Sequence, residues 1–428
     1  MGAMPLPLAH FLLLFIVGLS ILLMLVRPRG IPEVCWIGGG AILLILLGLV
    51  PFSLAGKAVA RGADVYLFLI GMMLLSELAR SEGVFDWLSS VAVRGAHGSS
   101  ARLFTLVYGI GTVVTIFMSN DATAVVLTPA ILTAVQKAKV LPLPCLFACA
   151  FIANAASFVL PISNPANLVV FHHGMPPLGR WLLSFGVPSV LSIAATYIVL
   201  RLIFRKDLGA IIPEQLDPVP LSANGKIVLG GFALMIAVLL AASFLNKDLG
   251  LPTCLAALAI TAVVSIRAGS NPLALAREIS WGTLALVAGL FVLVDAVESV
   301  GALKLTLAAL AWAQSLAPAT GALITGFVVG VANNLVNNLP LGLISGATLQ
   351  AGQVRGLIAD AVLIGVDLGP NLSVTGSLAT ILWLLALRKQ KLDVSFWDFL
   401  KVGAMAMPIA LLVSVAGAIL MHRLLGTS

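Results

Sequence analysis

Long apolar stretches separated by short polar segments dominate the chain. A helix needs about 20 consecutive apolar residues to cross a bilayer, and such stretches recur along the whole sequence. They predict membrane spans near residues 11–26, 36–53, 64–80, 143–171 and 182–204, and again near 227–245, 251–267, 281–300, 357–386 and 397–421. The polar segment 205–226 between the two groups predicts a linker.

Two further apolar stretches carry polar residues at their centres. One covers about 103–136 and is interrupted at Ser119, Asn120 and Asp121, and the other covers about 319–350 and contains four asparagines. The fourth span of each half is also interrupted, by LPISNPAN in the first half and by DLGPNLSVTGSLAT in the second. Non-helical backbone survives inside a membrane only when it is buried in protein or lines a wet cavity. These patterns predict two re-entrant helical hairpins and two broken helices that meet near the midplane.

The two halves of the sequence resemble each other in the positions of their polar residues. When the second half is aligned on the first, Asn120 falls on Asn338, and a slightly shorter offset places Asn154 on Asp367. Each half has five full crossings, an odd number, so the second half is expected to lie inverted in the membrane. Inverted repeats with interruptions in equivalent spans are typical of secondary transporters.

The predicted fold is therefore an all-α membrane protein with two inverted repeats, 1–204 and 227–428. Each repeat has five transmembrane helices plus one re-entrant hairpin. With the N-terminus outside, 17 of the 24 Lys and Arg residues fall on one side of the membrane and 7 on the other. Because cytoplasmic loops carry the excess of these residues, the linker 205–226 is predicted to be cytoplasmic and both termini periplasmic.

Composition supports a membrane protein and excludes other classes. The chain of 428 residues is 60% hydrophobic and 10% charged, whereas soluble chains carry about 25% charged residues. The net charge is +7, but the basic residues are scattered singly, which disfavours nucleic acid as a partner. The lipid bilayer is the predicted surrounding. Four cysteines without a C-x-x-C pair predict neither a metal site nor a cofactor.

The four interruptions hold the candidate site residues. An ionised Asp at membrane depth costs about 2.5–3.5 kcal/mol on insertion scales, so Asp121 and Asp367 point to function and are candidates for proton coupling. Alternative roles stay open, because Asp121 and Asn164 could serve only as helix caps and the asparagine pairs as bonds between helices. The candidate substrate-binding residues are Ser119, Asn120, Asp121, Asn164, Asn167, Asn337, Asn338, Asn371 and Ser377.

The residue types also restrict the substrate. None of the interruptions contains Lys or Arg, which disfavours carboxylate and phosphate substrates, although helix N-termini can also bind anions. Amides, hydroxyls and one or two carboxylates suit a small neutral polyhydroxy molecule or a cation such as sodium. The sequence contains no P-loop, so the energy for transport is expected from an ion gradient or from a partner.

Several segments resemble the ArsB arsenical pump membrane proteins, and the resemblance covers essentially the whole chain. They are FMSNDATAVVLTPAI (117–131), FIANAASFVLPISNPANLVVF (151–171), NNLVNNLP (333–340) and LIGVDLGPNLSVTGSLATILWL (363–384). The S-N-D hairpin is shared more widely with the ion-transporter superfamily, which includes sodium/proton antiporters and dicarboxylate carriers. One departure is Asn154, where many members are expected to carry Asp.

The resemblance implies an ion-gradient-driven transporter of the bacterial inner membrane rather than an enzyme. It implies export of arsenite and antimonite in exchange for protons. Arsenite at neutral pH is the uncharged As(OH)3, which amides and hydroxyls can bind reversibly. Two alternatives remain, a sodium/proton antiporter and a membrane subunit that works with the soluble arsenical-pump ATPase recruited by some members.

Overall fold

Helices account for every regular element that the structure describes. The computed structural model describes residues 6–171, 174–209, 211, 219–245, 247–269 and 271–426. Within them, eight helices are long and apolar enough to cross a membrane, and a pair bent by 48° makes a ninth if it is one span. The prediction of an all-α membrane protein is confirmed. The predicted linker lies partly, and both chain ends lie wholly, outside the described residues.

The first half contains ten described α-helices. They are α1 (Leu6–Val26), α2 (Glu33–Leu46), α3 (Phe52–Arg61), α4 (Ala63–Ser81), α5 (Val84–Gly95), α6 (Ser100–Met118), α7 (Thr128–Lys137), α8 (Leu143–Ala155), α9 (Pro165–Val170) and α10 (Leu178–Ile203). A π-helical segment, Ala122–Leu127, leads into α7.

The described helices of the second half follow in the same order. They are α11 (Ala223–Phe244), α12 (Gly250–Ala268), α13 (Pro272–Glu278), α14 (Trp281–Ser299), α15 (Leu303–Ser315), α16 (Pro318–Val336), α17 (Asn338–Ala351), α18 (Leu357–Leu368), α19 (Leu378–Lys389) and α20 (Phe396–Leu425). The alignment that places Asn120 on Asn338 also places both ends of α4 on the ends of α14, and both ends of α6 on the ends of α16. This agreement supports the predicted repeat, while the inversion of the second half stays a prediction.

The second span differs from its predicted bounds. Helix α2 ends at Leu46, several residues before the predicted end, because the chain turns at Gly48, whose φ is +70°, and Pro51 then begins a new segment. The next helix, α3, is short and partly polar, as are α5 and α13. Hydropathy over a window of span length overlooks helices of this kind.

The helices pack as two bundles, each built from both halves. The first bundle contains α1–α4 and α11–α14, and the second contains α5–α10 and α15–α20. In the first bundle α4 packs on α12, and α14 packs on α2. Because α14 is the counterpart of α4 and α2 is the counterpart of α12, the two contacts are equivalent in the aligned halves. In the second bundle α10 packs on α20, its counterpart. This exchange is expected if an approximate two-fold axis relates the halves.

Two glycines allow the close contacts of the first bundle. A Cβ atom at Gly71 on α4 would lie 2.8 Å from the carbonyl oxygen of Thr253 on α12. A Cβ atom at Gly289 on α14 would lie 2.9 Å from Cγ2 of Ile37 on α2. Small residues at such crossings let helix backbones approach each other inside a membrane. The two glycines occupy equivalent positions in the aligned halves, so each half contributes the same contact.

Candidate functional site

Each predicted hairpin breaks at a residue with an uncommon backbone conformation. Helix α6 ends at Met118 and Ser119 follows with φ of 113°. Helix α16 ends at Val336 and Asn337 follows with φ of 80°. Side-chain-bearing residues rarely adopt positive φ, and both breaks, which are equivalent in the aligned halves, place an asparagine directly after the turn. The tips of the two segments therefore present Asn120 and Asn338.

The two broken helices resume at capped half-helices. Asn164 has an extended backbone, and its Oδ1 accepts a hydrogen bond of 3.0 Å from the Ala166 amide at the start of α9. Ser377 is also extended, and its Oγ accepts a bond of 3.1 Å from the Thr380 amide in α19. Asn and Ser are preferred N-caps because their side chains satisfy amides that have no partner within the helix. Pro165 favours the first helical position for the same reason.

The four breaks meet at one small cavity, here called the central cavity. Its lining residues are Leu69, Asn120, Asp121, Asn164, Pro165, Thr283, Val287, Asn338, Leu339, Leu378 and Ala379. The amide and carboxylate groups all come from the second bundle. The first bundle contributes Leu69 from α4 and Thr283 and Val287 from α14, a mostly apolar wall. Leu69 and Val287 are repeat counterparts, so both halves line the cavity in matching ways.

Asp367 lies one hydrogen bond behind the cavity lining. It is fully buried near the end of α18, and its Oδ1 accepts a bond of 2.9 Å from Nδ2 of Asn164. The counterpart of Asp367 is Asn154 on α8, which donates to Oδ1 of Asn371 at 3.0 Å and to Oγ1 of Thr380 at 3.4 Å. Each broken helix is therefore tied to the half-helix region of the other half.

Buried acceptor oxygens at this site lack donors. Oδ1 of Asn120, Oδ1 of Asn338 and Oδ2 of Asp367 have no hydrogen-bond partner among the described residues. An unsatisfied buried polar atom costs about 1–3 kcal/mol, so each such group calls for an explanation. A bound molecule that donates hydrogen bonds, or a cation, would satisfy the two amide oxygens on the cavity lining.

A side opening leads from the central cavity to one end of α4. It is lined by residues that include Met72, Ser76, Glu77, Ser119, Asp121 and Glu278. Among the described residues that line the central cavity and this opening, none is Lys or Arg. Glu77 is paired with Arg80, whose Nε lies 2.9 Å from Oε2, and its repeat counterpart Asp295 is paired with Arg61.

The other predicted site residues brace the breaks. Asn167 donates from Nδ2 to the carbonyl oxygen of Ser157 at 2.8 Å and to two further carbonyls of the unwound segment. Asn337 caps α17 and donates to the carbonyl oxygen of Thr375 at 3.2 Å. Asn371 donates to a backbone carbonyl of α8 at 3.0 Å, and Ser377 caps α19. Four of the nine candidates thus face the central cavity, and Ser119 faces the side opening.

Comparison with known proteins assigns the chain to a family. The family described as "CitMHS: Citrate transporter" matches residues 16–366. The chain belongs to this citrate transporter family. This family member is similar to the "Arsenical pump membrane protein" of Escherichia coli, with 27% identity over 422 residues, 91% of this chain and 94% of the relative. The protein of that name from Yersinia enterocolitica is 29% identical over 359 residues, 79% and 82% of the two chains.

These relatives confirm the resemblance to the ArsB proteins. Among solved structures, the YdaH transporter of Alcanivorax borkumensis matches with a TM-score of 0.58 and 15% identity, over 88% of each chain. That likeness shows the fold alone. This CitMHS family member is a multi-pass membrane transporter.

The apolar wall that the first bundle contributes to the central cavity was not predicted from the sequence of this family member. Leu69 and Val287 look like any other apolar residue of a membrane span, and Thr283 lies just inside the start of α14. One signal in the sequence could have identified Leu69 and Val287. They occupy equivalent positions in the aligned halves, as do Asn120 and Asn338, which also line the cavity. Asn154 stood out in the sequence as the counterpart of Asp367 and as a departure from the family pattern, but its bonds to Asn371 and Thr380 depend on tertiary packing.

Proposed function

We propose that this transporter exports arsenite and antimonite from the bacterial cytoplasm across the inner membrane in exchange for protons. The observation that carries the proposal is a set of buried acceptor oxygens without donors among the described residues. Asn120 Oδ1 and Asn338 Oδ1 belong to residues that line the central cavity, and Asp367 Oδ2 lies one hydrogen bond behind that lining. As(OH)3 and its antimony analogue present three O–H donors and no charge. The names of the E. coli and Yersinia relatives point to arsenicals as substrates of those proteins.

Charge at the site separates this substrate from citrate, which the family description names. A tricarboxylate would be expected to contact Arg or Lys, and the described lining of the central cavity and side opening contains neither. Asp121 and Glu278 line the opening instead and would repel an anion, while the charge of Glu77 is balanced by Arg80. A neutral trihydroxide meets no such repulsion.

Asn164 provides the step that couples protons to substrate. Its side chain borders the cavity and donates to Asp367 at 2.9 Å, so it contacts both the substrate space and the buried acid. When Asp367 is ionised it accepts the Asn164 bond, and when it carries a proton one of its oxygens becomes a donor. The acceptors and donors offered to a trihydroxide therefore differ between the two states of Asp367. Asp121, at the junction of the cavity and the opening, is the second acid of the exchange.

The two bundles suggest how the site changes sides. The amide and carboxylate groups at the cavity belong to the second bundle, whereas Leu69 and Val287 of the first bundle form an apolar wall. The second bundle can therefore move along the apolar wall of the first bundle, and its polar groups keep their contacts with the substrate during this movement. The side opening lies at the Glu77 end of α4, the end that the predicted topology assigns to the cytoplasm. We therefore interpret this arrangement as a state open to the cytoplasm.

Fewer observations support the two alternative functions, a sodium/proton antiporter and a membrane subunit of an ATP-driven pump. The same acceptor oxygens could hold sodium, since hard cations prefer oxygen ligands, and an antiporter of sodium and protons would use the same acids. A membrane subunit that works with a soluble ATPase would need no ion coupling of its own.

Reconstitution separates these functions. The purified protein is placed in vesicles with an imposed pH gradient, and the fluxes of arsenite, sodium and citrate are measured in parallel. Arsenite flux that follows the gradient is the expected result. Sodium or citrate flux without arsenite flux would replace the proposal, and arsenite flux that appears only with an added ATPase would select the subunit alternative. A D393N variant, altered at an exposed acid that lines neither the central cavity nor the side opening, serves as the matched control.

A second arm of the experiment tests whether the site binds by hydrogen bonds rather than through sulfur. Cys145, Cys149 and Cys254 are buried and Cys35 is exposed, and all four are free thiols. None of them lines the central cavity. A variant with all four cysteines replaced by alanine is expected to keep arsenite flux, and loss of flux in a stably folded variant would contradict the hydrogen-bonded site.

A further inference from the structure

A buried histidine and a buried aspartate form a pair that the proposed transport step does not use. His422 lies in the last turn of α20 and Asp360 in the first turn of α18. Nε2 of His422 is 2.7 Å from Oδ2 of Asp360, and the residues are 6% and 7% exposed. Neither residue lines the central cavity.

Two surface cavities reach this pair from different directions. Asp360 lines one cavity together with Arg180, Gln350 and Arg355. His422 lines another, in which Arg355 and Gly356 take part again. A Cβ atom on Gly356 would lie 3.6 Å from Cε1 of the imidazole. Each member of the pair is thus buried but borders a cavity, which offers a route for the proton exchange that such a group needs.

The charged side chains around the pair are basic. On the packed helices α8, α9, α16 and α17 the described segments contain no charged residue. Among the described residues that line the two cavities, the charged side chains besides the pair are Arg180 on α10, Arg355 before α18 and Arg423 on α20. Among the described residues lining the two cavities, Asp360 is the one acid. His422 therefore has Asp360 as its acidic neighbour, within a cationic rim.

Helix α18 links this pair to the acid of the transport site. Asp360 and Asp367 are separated by about two helical turns, and so lie on the same side of α18. The first turn of α18 is held to α20 by His422, and the last turn is held to the half-helix α9 by Asn164. A change in the first contact can therefore move the second.

We propose that His422 and Asp360 form a second proton-binding site, which responds to the pH outside the cell and adjusts the position of α18. Imidazole changes its charge between pH 5 and 8. With a proton on both nitrogens, His422 makes a charge-assisted hydrogen bond to Asp360, and such bonds are about twice as strong as neutral ones. The side assignment and the arsenite readout rest on the proposed function, whereas the titration of the pair does not.

The first experiment follows the pair directly. The full chain is labelled with ¹⁵N-histidine, placed in nanodiscs and titrated from pH 5 to 8, with H422Q used to assign the signal. The His422 signal is expected to titrate in this range, and its midpoint is expected to differ by about one pH unit in D360N, since a neighbouring carboxylate favours the charged imidazole. The variant H97Q, altered at an exposed histidine, should leave the signal unchanged. A His422 signal that does not titrate, or that titrates identically in D360N, overturns the site.

The second experiment measures arsenite counterflow in oriented vesicles while only the outside pH varies. Wild type and variants are compared at the same pH values, so that the pH gradient acting on the transport acids is common to all of them. Over this range the rate of the wild type is expected to change by about ten-fold more than that of H422Q, the equivalent of one pH unit of interaction. If a single variant fails to fold, the double variant H422Q/D360N keeps an uncharged hydrogen bond between α18 and α20, and it is expected to respond to pH as H422Q does. Equal pH responses in the wild type and the folded variants overturn the regulatory role. Absence of arsenite flux in every protein would count against the proposed function, and the titration would still decide the pair.

Discussion

The side-chain amide of Asn164 donates a hydrogen bond of 2.9 Å to Asp367, a residue of the other half of the chain. The bond joins the half-helix α9 of the first half to the broken helix α18 of the second. Asn164 lines the central cavity and Asp367 does not. The acid is therefore close enough to respond to the substrate through one amide, yet it remains buried from the cavity itself.

Replacing Asp367 by asparagine tests its role as the coupled acid. An amide has nearly the shape of the carboxylate, and its oxygen can still accept the bond from Asn164, so D367N is expected to fold normally. It cannot ionise, so arsenite flux driven by a pH gradient should fall to the level of empty vesicles. Arsenite counterflow without a gradient should continue.

The alanine variant at the same position separates coupling from structure. D367A leaves the Asn164 amide without its acceptor, which costs about 1–3 kcal/mol of stability. Thermal unfolding of the two variants in detergent should therefore show a loss for D367A and little for D367N. Gradient-driven flux in D367N equal to that of the wild type would remove Asp367 from the coupling step.

The repeat counterpart of Asp367 offers a second test. Asn154 donates to Oδ1 of Asn371 and to Oγ1 of Thr380. In N154D the new carboxyl group keeps its bond to Asn371 only while it carries a proton. The variant therefore adds a proton-binding group at the position that matches Asp367, and the ratio of protons to arsenite should rise.

This ratio can be read from the arsenite gradient that balances a fixed pH gradient across vesicles. N154A is the control, because it removes the amide, at a stability cost of about 1–3 kcal/mol, without adding an acid. An unchanged ratio in a folded N154D protein would mean that the counterpart position takes no part in coupling.

The sequence was sufficient to locate the breaks but not to assign every residue within them. Asn120, Asp121, Asn164 and Asp367 stand out because polar groups and open backbone are costly in a membrane. Asn167 belongs to the same kind of segment, yet it points back to the carbonyls of its own unwound chain. Asparagine is suitable for both roles, and the direction of the side chain depends on backbone angles that composition does not reveal.

The orientation of the repeats makes a prediction about accessibility. Cysteines introduced into a Cys-less protein at exposed sites can be labelled from either side of the membrane. His97 and Lys389 are expected to react from the cytoplasm, and Lys247 and Arg355 from outside, because the positive residues then lie mostly inside. Labelling of positions 97 and 389 from opposite sides would contradict the inverted arrangement. Treatment of intact cells with a membrane-impermeant maleimide identifies the introduced cysteines that are accessible from outside.

Helices α9 and α17 contact each other, and each borders the central cavity near its start and the cavity that Asp360 lines near its end. A Cβ atom at Gly346 on α17 would lie 2.5 Å from the carbonyl oxygen of Val170 on α9, so alanine there must push the two segments apart. We expect G346A to lose about 1–3 kcal/mol, the usual cost of overpacking, and to let vesicle pH gradients decay faster. G230A is the control, since a Cβ atom at Gly230 on α11 meets nothing within 4 Å. Equal decay of the gradient in both variants, with G346A folded, would show that this contact does not close the path between the two cavities.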